Sequence, residues 1–367
     1  MRVPLFRPSI SEAAIRQVGD VLRSGWLGLG PRTRDFEEKF AAYVDAPHCV
    51  GLNSCTSAIH LALHVLELPP GSEVITTAVT FVSTNHAILY EGLKPVFADI
   101  DRTTGNLSPS DVAAKITGRT RALIVVHYGG CPADIDELYA IARSHRITVI
   151  EDCAHACGAT YKGRRTGSHG DLHAFSFHAV KNLPMGDGGA LTVRSSEHDA
   201  RLRRLRWLGI DKDTFRRTTT SSYDWDYDVP EVGFKYHMND VEAAIGLAQL
   251  ELLEAENARR AEIASAYREA LAHVGGVTLT AQGGDRTSSN HLFPVLVENR
   301  DAFIAKLKAA GIGTGVHYRR NDDYPMYEKA DLPNAEWFSA RVVSLPMHLC
   351  LSDEDVGYVT TTIASGW

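Results

Sequence analysis

Lys181 ends the run AFSFHAVK and is followed by the glycine-rich segment MGDGG, Met185–Gly189. Upstream, Glu151 and Asp152 close a short apolar run that begins at Thr148. A lysine or a strand-end acid alone means little, because most lysines are solvated surface residues. A third segment changes that. GLNSCTSAIHLAL, Gly51–Leu63, reads as a strand, a hydroxyl-rich turn and a helix. Ser54, Thr56 and Ser57 offer hydroxyls where unpaired N–H groups and the helix dipole favour an anion. Ser176, on the strand before Lys181, offers another. An amine that condenses with an aldehyde, a carboxylate at a ring nitrogen and a phosphate cradle are what pyridoxal phosphate requires of a protein. Lys181 supplies the amine. Asp152 keeps the ring nitrogen protonated, so that the ring accepts electrons when a substrate's α-proton leaves. Phe81, in AVTFVST, is a candidate to cover the ring face. Each residue also has a plainer reading. Thr56 and Ser57 can cap the following helix, which is compatible with phosphate binding. Phe81 can be a core aromatic.

Such residues must be held by a rigid frame. The first 200 residues alternate short β-branched runs with amphipathic stretches. The runs are Glu73–Thr77, Lys94–Ala98, Ala122–Val126 and Thr148–Glu151. Thr56–Leu66 and Asp134–Ser144 carry apolar residues at helical spacing, and Ser108-Pro109 reads as a helix start. This pattern predicts βαβ units around a mostly parallel, buried sheet, an α/β fold. In such sheets ligands bind beyond the carboxyl ends of the strands, where Asp152 falls. After residue 195 the pattern changes. Ser196–Leu208 reads as a basic helix with Arg201–Arg206 on a solvated face. Thr214–Pro230, with Tyr223, Trp225 and Tyr227, reads as a long loop over the site. A long helix from Asp240 to Ala272, broken near Glu254–Asn257, leads into strand His291–Val297, helix Arg300–Ala310 and a last helix near Ser352. The expected division is a large cofactor-binding domain over residues 1–250 and a small α+β domain over 251–367.

The chain has 367 residues with 38 Lys+Arg and 45 Asp+Glu, a formal charge of −7. This mild acidity argues against nucleic-acid or membrane-surface partners, which attract clustered cations. Six cysteines without a CxxC pair argue against structural zinc and for a reduced, cytoplasmic setting. No metal site is expected. The N-terminal MRVPLFRPSIS is too polar for a signal peptide.

The stretch EDCAHACGATYKGRRTGSHGDLHAFSFHAVKNLPMGDGG resembles the DegT/DnrJ/EryC1/StrS aminotransferases, the sugar aminotransferase branch of the fold-type I pyridoxal phosphate enzymes. Further matches are SGWLGLGP, NSCTSAIHLAL, GSEVITTAVTFVST, KPVFADID, GFKYHMNDVEAAIGLAQL and GIGTGVHY, which together span nearly the whole chain. Seven ordered motifs are specific where any one is weak. The resemblance implies that Lys181 is the Schiff-base lysine and moves the proton, and that Asp152 partners the ring nitrogen. It places His155 at the cofactor's phenolic oxygen, Thr56, Ser57 and Ser176 on the phosphate, and Phe81 on the ring. It implies a homodimer with shared sites, in which the GFKYHMND segment reaches the neighbouring subunit. Lys235 and His237 replace that segment's usual Asn and Arg, so Lys235, His237 and Asn239 all remain candidates there. Asp187 replaces the glutamate of the usual GEGG loop. Trp26, His178, Tyr318 and Arg319 are candidates for the substrate. The paired Arg319 and Arg320 could receive a carboxylate or a pyrophosphate.

The implied reaction takes an amino group from an amino acid, most simply glutamate, onto the cofactor as pyridoxamine phosphate. It then passes the group to a nucleotide-linked keto sugar such as a 4-keto-6-deoxyhexose. The presence of Lys181 argues against the sugar 3-dehydratases of this family, which carry histidine there. Three alternatives stand: a cyclitol aminotransferase, another reaction on the same fold, and a non-catalytic cofactor-binding regulator. No basic DNA-binding segment supports the last.

Overall fold

The computed structural model describes residues 2–211 and 226–367. Its strands are β1 (His48–Leu52), β2 (Glu73–Thr77), β3 (Lys94–Ala98), β4 (Thr120–Val126), β5 (Thr148–Asp152), β6 (Thr160–Tyr161), β7 (Arg164–Arg165), β8 (Leu172–Ser176), β9 (Gly189–Val193), β10 (Val277–Leu279), β11 (Arg286–Thr287), β12 (Phe293–Val297) and β13 (Val342–Leu345). Seven form the central sheet in the order β1-β9-β8-β5-β4-β2-β3. All neighbours from β8 to β3 run parallel, and β9 alone is reversed. Strands β2, β8 and β9 are buried along their whole length, which explains their continuous apolar character in place of strict alternation.

Register fixes the site. Val126 pairs with Asp152, and Asp152 pairs with Ala174, so β4, β5 and β8 end side by side at one edge. The helix Cys55–His64 starts at the same edge and is buried nearly throughout, packing Ile59, Leu61 and Leu63 into the core with Val50, Leu191 and Leu172. Its N-cap is Ser54, whose hydroxyl accepts from Ser57 N at 3.1 Å. Ser108 likewise caps the helix Pro109–Lys115.

A second core surrounds the antiparallel sheet β10-β12-β13 and includes Tyr267, Phe293 and Phe303. Val3 belongs to this core and bridges Ile312, so the N-terminal tip packs with the C-terminal elements. A third, small sheet pairs β11 with β6 and β7, tying residues near 286 to the segment after Asp152.

Local details depart from sequence expectation in three places. The long helix breaks at Glu251–Leu252, not near 254–257, giving Asp240–Leu250 and Leu253–Leu271. The first half starts at a capping box formed by Asn239 and Glu242. The basic helix spans Ser196–Leu205, and its arginines are not a solvated face. Arg206 is buried against the Glu37 carboxylate, which Arg203 also contacts at 2.7 Å. Burial pushes the Glu37 carboxyl up, but the two guanidiniums outweigh it and hold the pKa below the usual value. This pairing accounts for Arg203 and Arg206, which neutralise a desolvated acid, while Arg201 and Arg204 pair with Glu231. Tyr223 and Trp225, expected over the site, lie outside the described residues. Among the described residues, no helix is long and apolar enough to cross a membrane.

Candidate active site

The strand ends, the start of the helix Cys55–His64 and the turn around Val316–Tyr324 enclose a cavity of about 700 Å³. That volume suits a cofactor with a small substrate. It gathers Ser54, Thr56, Phe81, Asp152, His155, Ser176, His178, Lys181, Tyr318 and Arg319, which fall far apart in the sequence.

Asp152 is buried at the floor. Its Oδ2 accepts from Thr84 Oγ1 at 2.8 Å and its Oδ1 from Ala154 N at 3.0 Å. Cys55 Sγ lies 3.9 Å from Oδ1. Burial raises the Asp152 pKa above its ordinary value, while the Ala154 and Thr84 donors and Lys181 pull against it. A protonated ring nitrogen beside it would add a further cation and favour the ionised form. Lys181 answers in the opposite sense. Burial lowers its amine to about 8, and Asp152 opposes that shift. An amine near 8 is close to the operating range that proton transfer needs.

His155 sits beside them, buried. Its Nε2 lies 3.1 Å from the Tyr318 hydroxyl, and its carbonyl accepts from Ser289 Oγ at 2.6 Å. Burial, with Lys181 and His317 nearby, holds the ring well below the usual histidine pKa, so it is neutral at pH 7. Its Nδ1 has no partner among the described residues. A buried polar nitrogen without a partner is costly, and a ligand oxygen would satisfy it. With the amine, the carboxylate and the hydroxyl-rich turn, these residues fit pyridoxal phosphate.

The cradle itself depends on one glycine. A Cβ on Gly189 would lie 2.3 Å from the Ser54 carbonyl carbon, so only glycine lets β9 pass this close to the turn. Ser54 and Thr56 line the cavity. Ser57 does not: its Oγ lies 2.8 Å from Ser54 Oγ and donates to Asn53 Oδ1. Phe81 is 59% exposed and faces the cavity, so it is not a core residue.

Besides Ser57, the predicted residues Trp26, Lys235, His237, Asn239 and Arg320 stand outside this cavity. Trp26 Nε1 donates to Leu29 O at 3.3 Å. Lys235 is exposed, with Nζ 3.4 Å from the centre of the Trp207 ring. Asn239 caps a helix through its Oδ1, which accepts from Val241 N and Glu242 N. Arg320 makes a buried two-point contact with Asp322 and donates to Ala330 O at 2.8 Å, so it is not free to receive an anion. Arg319 lines the cavity and is held only loosely, donating to Asp323 O at 3.3 Å.

Sequence reasoning missed Thr84, Phe6, His291 and His317, all of which line the cavity. Thr84 carried a usable signal: it is a hydroxyl in the first helical turn after a buried strand. His291 carried none, because it meets Lys181 across 110 residues of chain. Behind the site, the buried Glu151 accepts from Tyr139 OH at 2.6 Å and His127 Nε2 at 2.9 Å. Cys153 lies near this pair, giving the ligand types of a metal site. The carboxylate and the imidazole are, however, already spent on internal hydrogen bonds, since His127 Nδ1 accepts from Ala133 N.

Known proteins agree with this geometry. The family model described as the DegT/DnrJ/EryC1/StrS aminotransferase family matches residues 8–364. The spore coat polysaccharide biosynthesis protein SpsC of Bacillus subtilis is 39% identical, over 98% of this chain and 96% of its own. The crystal structure of the sugar aminotransferase CalS13 from Micromonospora echinospora superposes with a TM-score of 0.93 at 37% identity, covering both chains completely. Spr1654 from Streptococcus pneumoniae, in its PMP form, gives 0.93 at 33% identity over 99% of this chain and 98% of that one, and it has also been solved in a PLP form. A half-buried lysine and a buried aspartate beyond the strand ends, with a match over nearly the whole length, make this chain a member of the DegT/DnrJ/EryC1/StrS family, pyridoxal phosphate-dependent aminotransferases of fold type I.

Proposed function

We propose that this enzyme moves an amino group from glutamate to a nucleotide-linked keto sugar, a 4-keto-6-deoxyhexose, for amino-sugar synthesis. One observation carries the reading: a buried amine held near neutrality and a buried carboxylate share the floor of a cavity far larger than the cofactor alone needs. The sugar aminotransferase CalS13 and the polysaccharide biosynthesis protein SpsC support a sugar as acceptor. When bound, the cofactor supplies an electron sink for the carbon that loses its proton. The protein does the rest. Ser54, Thr56 and Ser176, with the free N–H groups of the helix start, hold the phosphate. Asp152 keeps a proton on the ring nitrogen, braced by Thr84 and Ala154. His155 holds the phenolic oxygen through Nδ1, and Phe81 covers one face of the ring. Lys181 takes the α-proton at Nζ and returns it, because its amine loses and gains a proton near neutral pH. Phe6, His291, His317 and Tyr318 wall the floor against water. Arg319 and His178, at the cavity wall, bind the anionic part of the acceptor.

The proposal includes a homodimer in the cytoplasm, divided into a cofactor domain over residues 1–250 and a smaller domain over 251–367. Supporting it, Lys235, His237 and Asn239 lie outside the cavity of their own chain, on a segment whose Val232 is 86% exposed. They are then available to a partner's phosphate. The test is direct. Glutamate added to the holoenzyme should shift the absorbance of the bound cofactor, and a panel of 3-keto and 4-keto nucleotide sugars should yield an aminated 4-keto substrate. Amination of a cyclitol ketone instead would replace the acceptor reading, and no spectral shift with any amino acid would replace the enzymatic one. Mixing inactive Lys181→Ala with an inactive Asn239→Ala, Lys235→Ala double variant should restore part of the activity if sites are shared.

A further inference from the structure

His291 does more than wall the floor: its Nε2 lies 3.4 Å from Lys181 Nζ. The ring is fully enclosed, stacked 5.9 Å from Phe6 at an interplanar angle of 9° and 4.5 Å from His155 at 33°. It stands at the entrance to β12, just after Asn290, whose φ is +49°. The chain there is fixed: Leu292 N donates to Gly129 O at 3.1 Å, and Ser289 Oγ donates to the His155 carbonyl. So the imidazole is held by one stacked and one tilted ring and by backbone on both sides, while the lysine it faces has four rotatable bonds.

We infer that His291 is a positioning residue for Lys181: its Nε2 accepts a hydrogen bond from Nζ and holds the freed amine at one place between successive proton transfers. The inference rests on Lys181 being the reactive amine. An unheld lysine carries about 2 kcal/mol of rotamer entropy, so an acceptor on a rigid ring removes most of the orientations in which the amine points away from the substrate carbon. Other groups do not supply this contact. Asp152 acts on Lys181 through its charge, and burial pushes the Cys55 thiol well above its ordinary pKa. His155 gives its Nε2 to Tyr318, and His317 Nδ1 is 2.8 Å from Ser344 Oγ. The titratable groups that face His291 are Lys181, His155, His317 and, farther off, Arg260. Together with burial they keep the imidazole neutral, which is the state that can accept from an ammonium.

The test needs no cofactor. Lys181 in the apo-protein is labelled competitively with acetic anhydride across pH 6–11 and quantified by mass spectrometry. The wild type should titrate near 8. His291→Met removes the acceptor, and the midpoint should fall by roughly one pH unit, the worth of a hydrogen bond to a charged group. His291→Gln places an amide oxygen near the former Nε2 and should restore the midpoint. His291→Asn is equally polar but too short and should behave like the Met variant. In the holoenzyme, the glutamate half-reaction should lose at least tenfold in rate with KM unchanged for Met and Asn, and less than threefold for Gln. A midpoint that stays put in the Met and Asn variants overturns the inference, as does an equal loss in Gln and Asn. If His291→Met does not fold, the Gln and Asn pair decides alone. Because labelling uses neither substrate nor cofactor, its result is independent of whether the acceptor is a sugar.

Discussion

Thr84→Val probes the central claim that Asp152 works as an ionised acid in a buried place. A carboxylate only accepts, so the Thr84 proton is committed to Asp152 Oδ2, and Thr80, 3.0 Å from Thr84 Oγ1, must donate to Thr84 in turn. Valine keeps the shape and removes the donor. A hydrogen bond to a charged group is worth about 1.5 kcal/mol, or about one pKa unit. Burial already raises the Asp152 pKa, and the variant should raise it by about one unit more. The sign follows. An acid whose folded pKa lies above its unfolded value costs stability above that range and costs nothing once protonated in both states. The apo-variant should therefore lose about 1.5 kcal/mol at pH 7 in urea unfolding, and the loss should shrink as pH falls through the Asp152 pKa. The acid limb of kcat/KM against pH should move up by about one unit. An unmoved limb, or a stability loss equal at pH 4 and pH 7, would refute the reasoning and assign Thr84 a packing role only.

Lys181→Met should abolish transamination and the glutamate-dependent absorbance change. The same variant should stabilise the apo-protein at pH 7 by on the order of 1–3 kcal/mol, because burial holds the folded amine near 8 and below its unfolded value; the advantage should fade between pH 8 and pH 10.5 in urea titrations. Phe81→Ala should weaken cofactor binding about tenfold by fluorescence titration and shift stability by less than about 0.5 kcal/mol, since the ring is mostly exposed. Glu151→Ala should cost about 3–5 kcal/mol in chemical unfolding, because it strands His127, His173 and Tyr139 around a buried gap. A loss below about 1 kcal/mol would show that water replaces the carboxylate.

Much of the frame was legible in the residues. Strands β2 and β3 fall where the β-branched runs predict, β2 buried along its whole length and β3 at the sheet edge with Lys94 exposed. Strand β5 runs one residue further than its apolar stretch and ends on Asp152. The helix starts at Ser54, Ser108, Asn299 and Ser352 are local chemistry, a side-chain oxygen meeting a free N–H three residues on. The arginines of Ser196–Leu205 were not legible, because their partner Glu37 lies about 165 residues away and nothing local shows that it is buried.

The sequence by itself singled out the pair proposed as reactive. A lysine in a glycine-rich loop and an aspartate at a strand end have few other joint uses, and the chemistry of one cofactor links them. Only the tertiary structure decided which groups brace that pair. Thr84 reaches Asp152 because the first turn after β2 faces the end of β5. Tyr318 reaches His155, and His291 reaches Lys181, because the C-terminal elements close over the strand ends. The physical reason is common to all of these. Capping and strand burial are set by neighbours in the chain, whereas the partner of a buried polar group is set by whichever distant element arrives beside it.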